Sequence, residues 1–100
     1  ATVLAYALEQ PRFFVYSICD ASGRTVYVGA TTHPEQRYRQ HLEAPEHGHR
    51  ELRRWTASNE HTFTVLDTYT SKRVMLDSER AYIVALRPTF NNLRTRNGMI

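Results

Sequence analysis

Five side chains able to move a proton or recognise charge stand out by type and spacing. Tyr16 and Tyr27 sit one in each of two short apolar runs, and Gly29 follows the second tyrosine by two residues. Arg37 and His41 are four apart in a helix-like stretch, so they share a helix face. A guanidinium and an imidazole side by side repel when both are charged, unless an anion lies over them. Arginine's planar fork suits phosphate bidentately. Glu79 is the fifth. At about 100° per residue it falls near the middle of an arc of roughly 120° that also holds Met75, Leu76, Tyr82, Ile83 and Leu86. A carboxylate on an apolar stripe is costly, so it either pairs with a nearby arginine or binds a cation. Taken singly, each residue has an ordinary structural reading as a strand tyrosine, a solvated helix face or a salt-bridged acid. Together they are two phenols, an arginine, a histidine and a semi-buried carboxylate.

The elements that must position these groups are readable from pattern. "RFFVYSICD" (12–20) and "TVYVGA" (25–30) are β-branched and aromatic, and "DASGRT" between them is turn chemistry, so they form an antiparallel hairpin. The hairpin brings both phenols to one part of a sheet, and Gly29 there permits close approach of a backbone or ligand. "THPEQRYRQHLE" is a helix with Pro34 in its first turn and Glu35 favourably placed, and its Tyr38 and Leu42 face the core. "APEHGH" breaks the pattern. A second helix runs from about His49 to Ala57 on Leu52 and Trp55. "HTFTVLDTY" (61–69) is a third strand. The last helix is capped by Ser71 or Thr70 and ended by Pro88. Residues 1–9 fit a short helix or a strand. The order β-β-α-α-β-α is an α+β fold, a small three-stranded antiparallel sheet flanked by about three helices.

Composition narrows the functional classes. One hundred residues, 41% of them apolar, suit a single small domain with one modest core. No apolar run approaches the ~18 residues of a membrane span, and the opening "ATVLAYALEQ" lacks the basic start of a secretory signal, which reads as an intracellular chain. Cys19 is the single cysteine, which excludes an internal disulfide and reads as a small strand residue. Four of the five histidines, His33, His41, His47 and His49, fall close together without a zinc spacing. The formal net charge is +3, and of the thirteen cations only Lys72 is not arginine. Arg87, Arg94 and Arg96 lie in an acid-free C-terminal stretch that favours a polyanion.

Five separated elements now fall into a known order: "FVY" (14–16), "YVG" (27–29), "RYRQH" (37–41), Glu79 within "SERAYI", and "PTFNN" (88–92). The chain resembles the GIY-YIG nuclease domain, which occurs in phage homing endonucleases, in the incision nuclease of bacterial excision repair and in some restriction enzymes. The resemblance implies a nuclease domain over 1–92 followed by a short basic tail, 93–100. It implies Tyr16 as general base or water positioner, Tyr27 beside the attacking water and scissile phosphate, and Arg37 as the phosphate-holding arginine. Glu79 becomes the sole protein ligand to one divalent ion, Mg²⁺ or Mn²⁺, and Asn91 stands near the phosphate. Phe14 replaces the usual glycine of the first motif. Ala30 stands where repair-type members carry a lysine, and His41 or His49 takes up the slack. These departures tilt the resemblance towards homing and restriction relatives.

The implied reaction is hydrolysis of a DNA phosphodiester by a metal-dependent endonuclease, with Gly29, His49, Asn91, Arg94 and Arg96 as DNA contacts. A catalytically inactive nucleic-acid-binding module of the same fold is the alternative. The sequence shows no separate DNA-reading module, so specificity would come from another domain, a protein partner or a homo-oligomer. The implied location is the cytoplasm or nucleoid of a prokaryotic or viral system.

Overall fold

The computed structural model describes residues 12–43 and 50–91, with the side chains of His41 and Glu43 outside the described set. Two adjacent strands, β1 (Phe13–Asp20) and β2 (Thr25–Thr31), are followed by two helices, α1 (Pro34–Glu43) and α2 (Arg50–Ser58). Strand β3 (His61–Tyr69) and helix α3 (Lys72–Leu86) complete the order β-β-α-α-β-α. The sheet is antiparallel throughout, in the spatial order β2-β1-β3. The expected α+β architecture is therefore the one observed. The reading of residues 1–9 falls outside the described residues.

The β1–β2 turn is built by Asp20. Its Oδ1 accepts from the Ser22 amide (2.9 Å), the Ser22 hydroxyl (2.6 Å) and the Arg24 amide (2.9 Å). Gly23 supplies the positive φ of 93° that the reversal needs. These bonds hold the Asp20 carboxyl below the usual carboxylate range, the Ser22 hydroxyl contributing most.

As the central strand, β1 is buried on both faces from Val15 to Ile18. The strand period of two sends alternate residues to opposite sides. On one side Val15 and Val28 pack with Met75, Tyr82 and Ile83 of α3. On the other, Tyr16, Ile18 and Tyr27 pack with Leu52 and Trp55 of α2, together with Phe63 and Phe90. Both tyrosines thus belong to the face opposite α3. In the register Gly29 stands directly across from Tyr16, and Tyr27 across from Ile18.

The β1–β3 register shifts between Val15 and Tyr16, where Val15 pairs Asp67 and Tyr16 pairs Val65. A bulge at this point re-aims the strand beside the tyrosine.

Helix α3 begins at the Ser71 cap, whose Oγ accepts from the Val74 amide, and ends at Arg87 in the left-handed conformation, one residue before Pro88. Three leucines expected to pack need correction. Leu76 and Leu86 were expected on the packed stripe and are 45% and 44% exposed. Leu76 lies about 100° round from Met75, beyond the width a three-stranded sheet covers, and Leu86 is the last residue before the chain turns away. Leu42 is likewise exposed, because Tyr38 already lies against the start of β3 and Leu42 comes a turn further on. Cys19 is half-buried, with weak contacts to Ser17 and Thr25 near the β1–β2 irregularity.

Candidate active site

The site is assembled around Tyr16. Its side chain is completely buried, and its ring stacks on Phe63 of β3 with centroids 4.7 Å apart and planes 22° from parallel. Phe63 in turn meets Tyr38 of α1 at 4.7 Å. The phenol of Tyr38 bonds to His61 Nε2 at 2.9 Å, and His61 Nδ1 donates to the Asn59 carbonyl at 2.9 Å, which fixes the imidazole tautomer. This ladder of rings ties α1 to the sheet face that carries Tyr16. Arg37, the neighbour of Tyr38 in sequence, is thereby delivered to the Tyr16 hydroxyl.

Tyr27 completes the group, its ring centroid 6.1 Å from that of Tyr16 and tilted by 46°. The Tyr16 hydroxyl is hydrogen-bonded with both Tyr27 and the Arg37 guanidinium. Burial pushes the Tyr16 phenol far above its ordinary pKa, and the neighbouring Tyr27 pushes in the same direction. Arg37 opposes them and is outweighed. At neutral pH Tyr16 is therefore a protonated hydroxyl, accepting from Arg37 and donating to Tyr27. The general-base role suggested for it would require this balance to be reversed.

Gly29 has a different task from the one anticipated. A Cβ added there would collide with the Cζ and hydroxyl oxygen of Tyr16 and lie 2.8 Å from its Cε1. The room left by the glycine is filled by the phenol of Tyr16, not kept open for a ligand. Asn91 is also reassigned. Expected beside a phosphate, it is 3% exposed and spends its amide on the outer edge of β2. Its Oδ1 accepts from the Val28 amide at 2.7 Å and its Nδ2 donates to the Val28 carbonyl at 2.8 Å. It acts as a one-residue strand that holds the segment carrying Tyr27.

Glu79 is carried separately from the tyrosines: it lies on α3, which packs on the opposite face of the sheet, one turn after Met75 and one turn before Ile83, and is half-buried. Among the described residues no three His, Cys, Asp or Glu side chains gather as a metal cluster. Glu79 brings one carboxylate, a hard oxygen ligand. That donor set fits a strongly hydrated ion such as Mg²⁺ or Mn²⁺, which keeps most of its waters. Backbone geometry places His41 one turn after Arg37 on α1; its side chain, together with His49, Arg94 and Arg96, lies outside the described residues.

Beside Arg37 runs a polar cleft of about 130 Å³ lined by Thr31, Thr32, His33, Gln36, Arg37 and Gln40. Motif reading passed it over because glutamine and threonine on a helix flank carry no signature of their own. The His61–Tyr38 bond was missed for a similar reason, since only the fold brings residues 38 and 61 together.

The sequence model of the GIY-YIG catalytic domain matches residues 12–94, most of the chain. The chain is a GIY-YIG domain. Comparisons with curated proteins and with solved structures return no match. GIY-YIG domains are nucleases, and the two tyrosines and the arginine that define the site here come from the first three motif elements of this GIY-YIG chain. Among its described residues no helix is long and apolar enough to cross a membrane.

Proposed function

We propose that this GIY-YIG domain is a divalent-metal-dependent DNA endonuclease that cuts phosphodiester bonds by water attack. The observation that carries the reading is the meeting of Arg37, Tyr16 and Tyr27 at one buried point of the sheet face.

Arg37 holds a non-bridging oxygen of the scissile phosphate and complements the charge that builds there during attack. Tyr16, neutral and enclosed, accepts one hydrogen bond from Arg37 and steadies Tyr27, so both groups meet the substrate already oriented. Tyr27 orients the attacking water. Because Tyr16 stays protonated and Tyr27 is a neutral phenol, the proton released by that water goes to His41, which follows Arg37 on α1. The water oxygen forms the new bond to phosphorus, the bond to the 3′ oxygen breaks, and that oxygen takes up a proton from solvent water. Glu79 would hold the metal ion, which when bound supplies Lewis-acid stabilisation of phosphate and leaving-group charge. The Arg37–His41 spacing and Ala30 in place of a lysine support a site of the homing and restriction type.

The test is nicking of supercoiled plasmid by wild type, Glu79→Gln and Arg37→Ala in Mg²⁺, Mn²⁺ and EDTA. Nicking that requires metal and is lost in both variants is the expected result. DNA binding by folded wild type without cutting in either metal would replace this reading with an inactive binding module.

A further inference from the structure

We infer that the polar cleft beside Arg37 holds a second backbone phosphate, adjacent on the same strand to the one at the reacting centre. The inference rests on the nuclease reading and extends it to a substrate subsite. The cleft lies between the end of β2, at Thr31 and Thr32, and the flank of α1. His33, Gln36, Arg37 and Gln40 recur at helical spacing on that flank, over a rise of about 10 Å, so the cleft runs along the side of the helix.

Its lining decides the ligand. One guanidinium, one imidazole, two carboxamides and two hydroxyls face it, with no carboxylate and no apolar side chain. Such a surface suits a compact anion with several acceptor oxygens. A peptide or planar base would find no apolar wall to cover it. At about 130 Å³ against ~30 Å³ per water, the space accepts a phosphate group.

Two bonds organise the entrance. The His33 amide donates to Oγ1 of the buried Thr31 at 3.1 Å, and the Thr32 hydroxyl meets His33 Nδ1 at 2.9 Å. In the tautomer in which the Thr32 hydroxyl donates to Nδ1, Nε2 carries the hydrogen and is a donor. Arg37 belongs to both places, bonded to the Tyr16 hydroxyl and lining the cleft. An anion in the cleft is therefore a neighbour of the anion at the tyrosines, which is the relation between consecutive phosphates of one strand.

The experiment measures anisotropy in EDTA of a labelled duplex just long enough to fill the site in one register, then of a series in which one phosphate at a time is a neutral methylphosphonate. Wild type should be weakened about fivefold at the flanking position. The full chain carrying His33→Ala and Gln36→Ala should show no further loss at that position and retain the loss at the scissile one. Gln36→Glu, at an exposed site that leaves folding intact, should weaken unmodified duplex about tenfold by facing the phosphate with a carboxylate. Equal methylphosphonate losses in wild type and double variant at every position, or unchanged affinity in Gln36→Glu, would overturn the subsite. If duplex is bound and nicked without this coupling, the subsite alone fails. If wild type neither binds nor nicks, the nuclease reading falls with it.

Discussion

At the scale of single residues, Tyr16 and Gly29 are one unit. The phenol lies over the glycine with no room for a methyl group, and Phe63 stacked on its ring blocks retreat. Gly29 is not among the positive-φ residues, so its requirement is one of volume and not of backbone conformation. Gly29→Ala is therefore expected to destabilise the fold by about 1–3 kcal/mol through overpacking. Cutting should fall further than the lost folded fraction explains, because the displaced hydroxyl leaves Arg37 and Tyr27. Urea unfolding alongside plasmid nicking separates the two effects. Tyr16→Phe probes the hydroxyl with the ring retained. It should cost about 1 kcal/mol in stability and about 10²-fold in cutting. The pH dependence has a definite sign. The folded phenol titrates above its unfolded value, so the unfolded chain releases its proton first. The contribution of Tyr16 to stability is complete below about pH 10 and is lost as the pH rises from there towards the folded value. Wild type should lose stability above pH 10 more steeply than Tyr16→Phe, and the difference between their denaturation curves isolates this one group.

At the scale of elements, the weak point is the outer edge of β2, the strand that carries Tyr27 and Gly29. Asn91 closes it by satisfying both polar groups of Val28. Asn91→Ala leaves a buried donor and a buried acceptor without partners and should cost about 2–4 kcal/mol. Hydrogen exchange at the Val28 amide should lose its protection ahead of the β1–β3 pairs. If Asn91 instead served only the substrate, stability and exchange would be unchanged while affinity fell. The limits of sequence reading are clearest at this scale. Strand alternation and turn residues placed β3 at 61–69 and α1 at Pro34, and the Ser71 cap opened α3, because each signal is local and cheap to violate nowhere else. Leu76, Leu86 and Leu42 misled because helical periodicity locates a stripe and says nothing about how far the opposing sheet extends. The site divides in the same way. Tyr16 and Tyr27 were legible as partners because the hairpin joins them locally. The bond between Asn91 and Val28 spans sixty-three residues, and the stack of Tyr38, Phe63 and Tyr16 joins a helix to two strands. No pattern within one element encodes either.

At the scale of the whole molecule, the charge distribution sets how DNA would be held. The chain carries thirteen Lys and Arg against ten Asp and Glu, for a formal net charge of +3. Its described arginines are spread over the elements: Arg12 and Arg24 beside the ends of the hairpin strands, Arg39 with Arg37 on α1, Arg50 and Arg54 on α2, Arg73 and Arg80 on α3. Arg37 is the one that reaches the tyrosines, and the cleft beside it is otherwise lined by neutral donors and His33. On the nuclease reading, the described residues would recognise a short stretch of backbone by directed hydrogen bonds and neutralise few phosphates. Two to four neutralised phosphates give a slope of log affinity against log salt of about −2 to −4. Raising salt from about 50 to 200 mM should then weaken binding by about 20- to 200-fold, with little dependence on base sequence. Anisotropy titrations over that range on duplexes of unrelated sequence measure both quantities. A slope of about −8 or steeper would show that a broad basic surface wraps the duplex, and the arginines of α2 and α3 would join the binding face. A shallow slope leaves Arg37 and its cleft as the centre of recognition, where the tenfold losses expected of single substitutions on α1 would not be matched by any arginine on α3.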